Sequence, residues 1–181
     1  MKELSLNILD IAQNSISANA DLIYITVHEN ISENYLKIII SDNGKGMSKE
    51  FLKTVTDPFS TTRKTRKVGM GISLLKLVTE QTDGAFSIQS EIGVGTVVTA
   101  EFTLNHIDRP PLGDIEQTIS TLISCNEHID FVFTRKVNKN EFVLDTREIK
   151  KILNGVSLSE PDIIIWIQEY IKENENNLLE E

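Results

Sequence analysis

Hydrophobic positions recur along residues 3 to 19 with the period of a helix. Leu4, Ile8, Ile11, Ala12, Ile16 and Ala18 share one broad face, and Asn7, Asp10, Gln13, Asn14 and Ser17 take the other. Residues 22 to 29 and 35 to 41 are rich in β-branched and aromatic side chains and read as strands, joined as a hairpin by the polar stretch 30 to 34. Ser48 is placed to cap a short helix over 48 to 55. A loop over 57 to 68, rich in Thr, Lys and Arg, leads to a second amphipathic helix over about 72 to 82. Two further strands, 84 to 90 and 96 to 104, flank the turn Glu91-Ile92-Gly93-Val94-Gly95.

Pro110, Pro111 and Gly113 mark residues 106 to 113 as a linker. The pattern therefore divides the chain into a first domain, 1 to 105, and a small α+β domain, 114 to 181. The second unit predicts a helix over 114 to 125, two strands around Asn138-Lys139-Asn140, and a helix over 146 to 153. A last helix begins near Ser159, where Ser159 and Asp162 have capping-box spacing and Pro161 suits the first turn. Residues 173 to 181 are polar and are expected to fray.

Composition narrows the class. The chain has 181 residues, 40% hydrophobic and 25% charged, with a net charge of −9. That balance argues against nucleic-acid and anionic-membrane surfaces, which need clustered positive charge. The single cysteine, Cys125, excludes an intrachain disulfide and reads as a buried hydrophobe. No apolar run reaches the roughly 18 residues of a membrane span. The start of the chain lacks the features of a signal peptide. The expected location is cytoplasmic.

Four segments carry candidate chemistry. In the first helix Asp10 and Asn14 are four apart and so share a face. Oxygen ligands of this kind suit hydrated Mg²⁺, although a plain polar face would look similar. Asp42-Asn43-Gly44-Lys45-Gly46-Met47 follows an apolar strand. It is a common turn sequence; equally, Asp42 could accept a hydrogen bond from a buried amino group while the glycines admit a planar ring. Gly69-Met70-Gly71-Ile72 opens a helix, presenting free backbone N–H groups and a positive dipole end to an anion. Thr61, Thr62, Arg63, Lys64, Arg66 and Lys67 make the preceding loop basic in an acidic chain, which favours phosphate. Gly93-Val94-Gly95-Thr96, read alone, is a hairpin turn.

Together and in this order, these segments resemble the GHKL superfamily: DNA gyrase, the heat-shock chaperone of ninety kilodaltons, histidine kinases and mismatch-repair ATPases. Residues 10 to 20 are similar to its N box, and 42 to 47 to its D-x-G-x-G box. Pro58-Phe59-Ser60-Thr61-Thr62 and Gly69-Met70-Gly71-Ile72-Ser73-Leu74-Leu75-Lys76 resemble histidine-kinase stretches, and Gly93-Val94-Gly95-Thr96 the last glycine box. The resemblance covers about residues 3 to 104. It implies the Bergerat fold, an α/β two-layer sandwich whose mixed sheet is covered by helices, with ATP and Mg²⁺ as cofactors. By the same resemblance Asn14 would ligate Mg²⁺ and Asp42 would bond the adenine amino group. Gly44, Gly46, Met47 and Thr96 would line the base pocket. Thr61, Thr62, Lys67, Gly69, Met70, Gly71 and Ile72 would surround the phosphates.

Two positions depart from the family pattern. Hydrolases of the family carry Glu, and histidine kinases Asn, where this chain has Asp10; Ser17 replaces a supporting Asp. Asp10 is therefore the candidate catalytic base, for water or for a substrate hydroxyl. The lid resembles those of histidine kinases and anti-sigma kinases, so the leading expectation is phosphoryl transfer to a protein partner. A slow ATPase and a non-enzymatic ATP sensor acting through residues 114 to 181 are the alternatives. His28, His106 and His128 are expected to be structural or surface residues. Only two residues precede the first helix, so no phospho-accepting helical unit is expected ahead of it. A homodimer is possible. The apolar run Ile163-Ile164-Ile165-Trp166-Ile167 should be covered on more than one side.

Overall fold

The computed structural model describes residues 3–56 and 70–180, so Thr61, Thr62, Lys67 and Gly69 lie outside the described residues. The described elements run in the order α1 (Leu4–Ser17), β1 (Leu22–Asn30), β2 (Tyr35–Asp42), α2 (Lys49–Val55), α3 (Met70–Gln81), β3 (Ala85–Glu91), β4 (Gly95–Thr103), α4 (Ile115–Cys125), β5 (Asp130–Val137), β6 (Asn140–Asp145), α5 (Thr146–Leu153) and α6 (Pro161–Glu180).

One six-stranded sheet, ordered β3-β4-β2-β1-β5-β6, organises them. Every pair is antiparallel except β1 with β5, which run parallel from Leu22 opposite Asp130. Alternation along each strand sends Ile23, Ile25 and Val27, Leu36, Ile38 and Ile40, Val98, Ala100 and Phe102, and Phe131 and Phe133 to one face, all buried. Against that face pack Ile8 and Ile11 of α1, Ile72 and Leu75 of α3, Ile119 and Leu122 of α4, and Ile167 and Ile171 of α6. Removing any one of these side chains from water contributes about 1.5–3 kcal/mol. Neighbouring helices touch in the series α3, α1, α4, α6. The other sheet face is half-exposed and polar, with Tyr35, Lys37, Thr99, Thr26 and Thr134. This is a two-layer sandwich with a mixed sheet.

The segment after Gly113 continues the first sheet and its core, since β5 adds directly to β1. The proline stretch before it is tied down: the N–H groups of Leu4 and Ser5 donate to the carbonyls of Pro111 and Leu112 at 3.0 and 2.8 Å. Those two bonds satisfy N-terminal donors of α1 that no earlier turn can serve.

Four expectations need correction. Asn7 is buried, at 1% exposure, because it sits at the flank of the inward face next to Ile11. Cys125 is exposed, because as the last residue of α4 it falls outside the inward row of Ile119, Leu122 and Ile123. The C-terminal stretch is helical to Glu180. Leu178 packs on the core and Glu175 pairs with Arg135, so polar composition there does not produce fraying. Ser159 does not enter a capping box; its hydroxyl meets that of Ser157 at 2.7 Å, and α6 starts at Pro161. Ser48 does cap α2, accepting the Phe51 N–H at 3.2 Å.

Candidate functional site

The three described motif segments come together at the end of the sheet where β2 finishes and β4 starts. Asp42, the last residue of β2, lies opposite Thr96 of β4. Its carboxylate is held on both sides: the Ser15 hydroxyl donates to Oδ2 at 2.6 Å and the Gly44 N–H donates to Oδ1 at 2.9 Å. A carboxylate offers about four acceptor sites, so two remain for a ligand donor. Asn43, between Asp42 and Gly44, serves the fold. Its side-chain oxygen accepts the N–H groups of Asp21 and Leu22 at 3.1 Å, fixing the start of β1.

The loop after Asp42 is fastened at two further points. The Lys45 N–H donates to the Ala18 carbonyl at 2.9 Å, and the Lys45 carbonyl accepts the Gly93 N–H at 2.8 Å. Gly46 has φ +65°, and a Cβ there would lie 1.9 Å from the Glu91 carbonyl oxygen. Gly95 has φ +137°, and a Cβ there would lie 1.9 Å from the Asp42 carbonyl oxygen. Only glycine permits both the dihedral and the approach. The two glycine boxes thus close on each other.

Ser90 is the hub that sequence reasoning missed. Its hydroxyl accepts the Met47 N–H at 2.8 Å, and it bonds the Gly95 carbonyl at 3.0 Å and the Thr96 hydroxyl at 2.8 Å. One side chain on β3 therefore locks the walls to which Met47 and Thr96 belong. The only sequence signal is its place five residues before Gly95, the second glycine of Gly-x-Gly-Thr, inside an alternating strand.

On the helix layer, Asp10 is exposed and Asn14, one turn on, is half-buried. Gly71, in the first turn of α3, comes against this face; a Cβ there would sit 3.1 Å from Asp10 Cβ and 3.6 Å from its Oδ2. A glycine at this point lets the start of α3 approach Asp10. The first turn of α3 carries no acidic side chain, so its positive end is not neutralised from within the helix. Ile72 is buried beneath it. The structure thus brings Asp10, Asn14, Asp42, Gly44, Gly46, Met47, Gly71, Ile72 and Thr96 onto one end of the sandwich; Met70 opens α3 there.

The donor set suits a nucleotide with a hydrated cation. Among the described residues no group of three or more His, Cys, Asp or Glu could hold a metal ion. Mg²⁺, which keeps water and takes phosphate oxygens, needs only a ligand such as Asn14. A separate cleft of about 630 Å³ lies at the far end of the sheet, lined by Tyr35, Lys37, Asp83 and Glu101 among others, and shares no residue with the motif cluster.

This geometry defines an ATPase domain of the GHKL class. A profile of the histidine kinase-, DNA gyrase B- and HSP90-like ATPases matches residues 1–106, and the chain belongs to that family. A protein described as a sensor in Shewanella frigidimarina (strain NCIMB 400) is 32% identical over 109 residues, which is 60% of this chain and 16% of that protein. The sensor protein SrrB of Staphylococcus aureus (strain NCTC 8325 / PS 47) is 34% identical over 101 residues, 53% of this chain and 17% of its own length. The chain therefore spans a small part of these relatives. Among solved structures, the N-terminal domain of a DNA repair protein superimposes with a TM-score of 0.61 at 16% identity, covering 80% of this chain and 53% of that one. That likeness is one of fold.

Proposed function

We propose that this chain binds Mg-ATP at the motif cluster and transfers the γ-phosphoryl group to a partner protein. The observation that carries this is the meeting of Asp10 with the start of α3 at Gly71. The N–H groups of that helix start would take phosphate oxygens, and Asn14 would hold Mg²⁺ against them. At the other end of the ligand, Asp42 would accept the adenine amino group between walls that include Gly44, Gly46, Met47 and Thr96. Thr61, Thr62, Lys67 and Gly69 are proposed to complete the phosphate side.

In the transfer, an acceptor side-chain oxygen attacks the γ-phosphorus and the bond to the β-phosphate oxygen breaks. ADP leaves and the acceptor proton passes to the Asp10 carboxylate. The exposure of Asp10 favours a second reading in which water takes the acceptor's place, giving slow hydrolysis with the same proton route. Binding without turnover is the remaining alternative. The acidic balance supports a cytoplasmic protein that avoids nucleic acid and membranes. No described helix is long and apolar enough to cross a membrane.

The test is phosphate release and label transfer from γ-labelled ATP with Mg²⁺, using wild type, Asp10→Asn and Asn14→Ala, beside a nucleotide titration. Binding by wild type, with product lost in Asp10→Asn and affinity lost in Asn14→Ala, supports the assignment. Equal turnover by wild type and Asp10→Asn removes Asp10 as the base. Failure of wild type to bind ATP overturns the whole reading.

A further inference from the structure

Helix α6 has two apolar faces. Ile167 and Ile171 are fully buried in the core, with Ile163, Tyr170 and Leu178 packed behind them. Turned away from the core, Ile165 is 52% exposed and Trp166 45% exposed. The exposed stripe at helical spacing runs Asp162, Ile165, Trp166, Glu169, Lys172, Glu173. Among the described residues no ion pair engages Asp162, Glu169 or Glu173.

Trp166 is not a loose surface side chain. It stacks on Tyr170 with centroids 5.3 Å apart and planes at 18°. Tyr170 meets the edge of Phe142 at 6.4 Å, and Phe142 that of Phe133, a fully buried core residue, at 5.8 Å. An aromatic ladder therefore runs from the core to the surface and fixes the indole in place. A rigid, half-exposed Trp beside an Ile and ringed by charge has the make-up of an interface anchor, where little side-chain entropy remains to be lost.

We infer that this stripe of α6 docks a basic, amphipathic helical segment of a partner protein. Charge selects that occupant. Three carboxylates against one ammonium flank the two apolar residues, so Lys or Arg spaced around an apolar face complements the stripe. A second copy of this chain would set the same carboxylates against each other, and an anionic lipid surface would meet the same repulsion. The site is remote in sequence from the nucleotide motifs, and its occupancy can be measured with or without ATP.

Trp166 is the single tryptophan of the chain, so its emission reports on this stripe alone. The probes are helical peptides of about 16 residues, long enough for four turns. One is built from Leu and Lys in amphipathic order, and the other has Glu for every Lys. The Lys peptide should shift Trp166 emission to shorter wavelength, saturably, with affinity falling as salt rises. The Glu peptide should produce no shift. Ile165→Ser, and the combined Asp162→Asn, Glu169→Gln, Glu173→Gln, should each weaken binding about tenfold. Neutralising three exposed carboxylates elsewhere, Glu33→Gln, Glu50→Gln and Asp108→Asn, should leave binding unchanged. All these positions are exposed, and circular dichroism verifies the fold of each variant. No shift, or equal loss from both sets of charge changes, overturns the proposal. A shift that grows with protein concentration alone assigns the stripe to self-association and overturns it as well.

Discussion

The Ser15 hydroxyl donates to Asp42 Oδ2 at 2.6 Å, joining the buried side of α1 to the last residue of β2. The two residues are 27 apart in sequence, and neither the helix nor the strand alone determines how the carboxylate points. With the Gly44 N–H on Oδ1, this bond fixes the carboxylate plane before any ligand arrives. Ser15→Ala should keep the fold, since Ser15 is buried and the change only removes an atom. It should weaken ATP binding several-fold, whereas Asp42→Asn should weaken it by about 1.5–3 kcal/mol, as for a lost hydrogen bond to a charged group. Titration of both variants with ATP checks the order. Equal affinity for Ser15→Ala and wild type would show that Asp42 needs no such support.

Ser90 poses a different question, because it touches backbone on both glycine boxes. Ser90→Ala leaves the Met47 N–H without its acceptor and the Gly95 carbonyl without this donor. The cost of unmade bonds at half-buried groups is about 1–3 kcal/mol. A urea melt should show that loss at unchanged slope. Nucleotide affinity should fall with it, since the walls at Met47 and Thr96 lose their common anchor. Stability within a few tenths of wild type, about the scatter for surface changes, would mean the two boxes hold without Ser90.

Much of this arrangement was legible in the chain. The period of α1, the alternation in β1 and β2 and the Ser48 cap lie where local pattern places them, because each depends on near neighbours. What pattern does not specify is pairing at long range. Alternation marks which face of β5 is apolar but not that β1 receives it in parallel, which joins the segment after Gly113 to the first sheet. For the same reason Ser90 reads in the sequence as an ordinary strand residue, and helical periodicity puts Asn7 on the outer face although neighbouring packing encloses it. What surrounds a polar residue is decided by the fold: Ser90 gains partners at long range, whereas Asn7 is packed in with no side-chain hydrogen-bond partner among the described residues. At the candidate site the motif order names the candidate residues, while the bonds from Ser15 and Ser90 that orient Asp42 and tie Met47 to Thr96 belong to the tertiary structure.

Arg135 is 2% exposed and is the one charged side chain buried among the described residues. Its Nη2 and Nε reach Glu29 of β1 and Glu175 of α6, both at 2.9 Å, and Nη1 donates to the Lys136 carbonyl. Removing the guanidinium leaves two carboxylates facing each other with little water. Arg135→Met should therefore destabilise by about 3 kcal/mol. Adding Glu29→Gln and Glu175→Gln should restore much of it, because the remaining groups are neutral. Chemical denaturation of the single and triple variants measures this. A triple variant weaker than the single one would show that the charges themselves contribute net stability.

His28 carries the pH dependence that can be isolated. It lies on the open sheet face between Lys37 of β2 and Lys136 of β5, with its Nδ1 3.2 Å from the Tyr35 hydroxyl and its ring edge-on to Tyr35. Nε2 is buried with no hydrogen-bond partner among the described residues. Burial is the largest influence and pushes the imidazole below its ordinary value; the two lysines push the same way, while the Asn138 backbone and Glu33 oppose. A base whose native pKa is depressed gains protons more readily when unfolded. Its stabilising effect is thus complete above the unfolded value of about 6.5, and is lost as pH falls through the lower native value. Urea midpoints of wild type and His28→Gln, taken from about pH 7.5 down to about pH 5, should converge on acidification, because Gln carries no proton-linked penalty. Carboxylate titrations affect both proteins alike and cancel in the difference. Two parallel curves would show that His28 accepts its proton in the native state without cost.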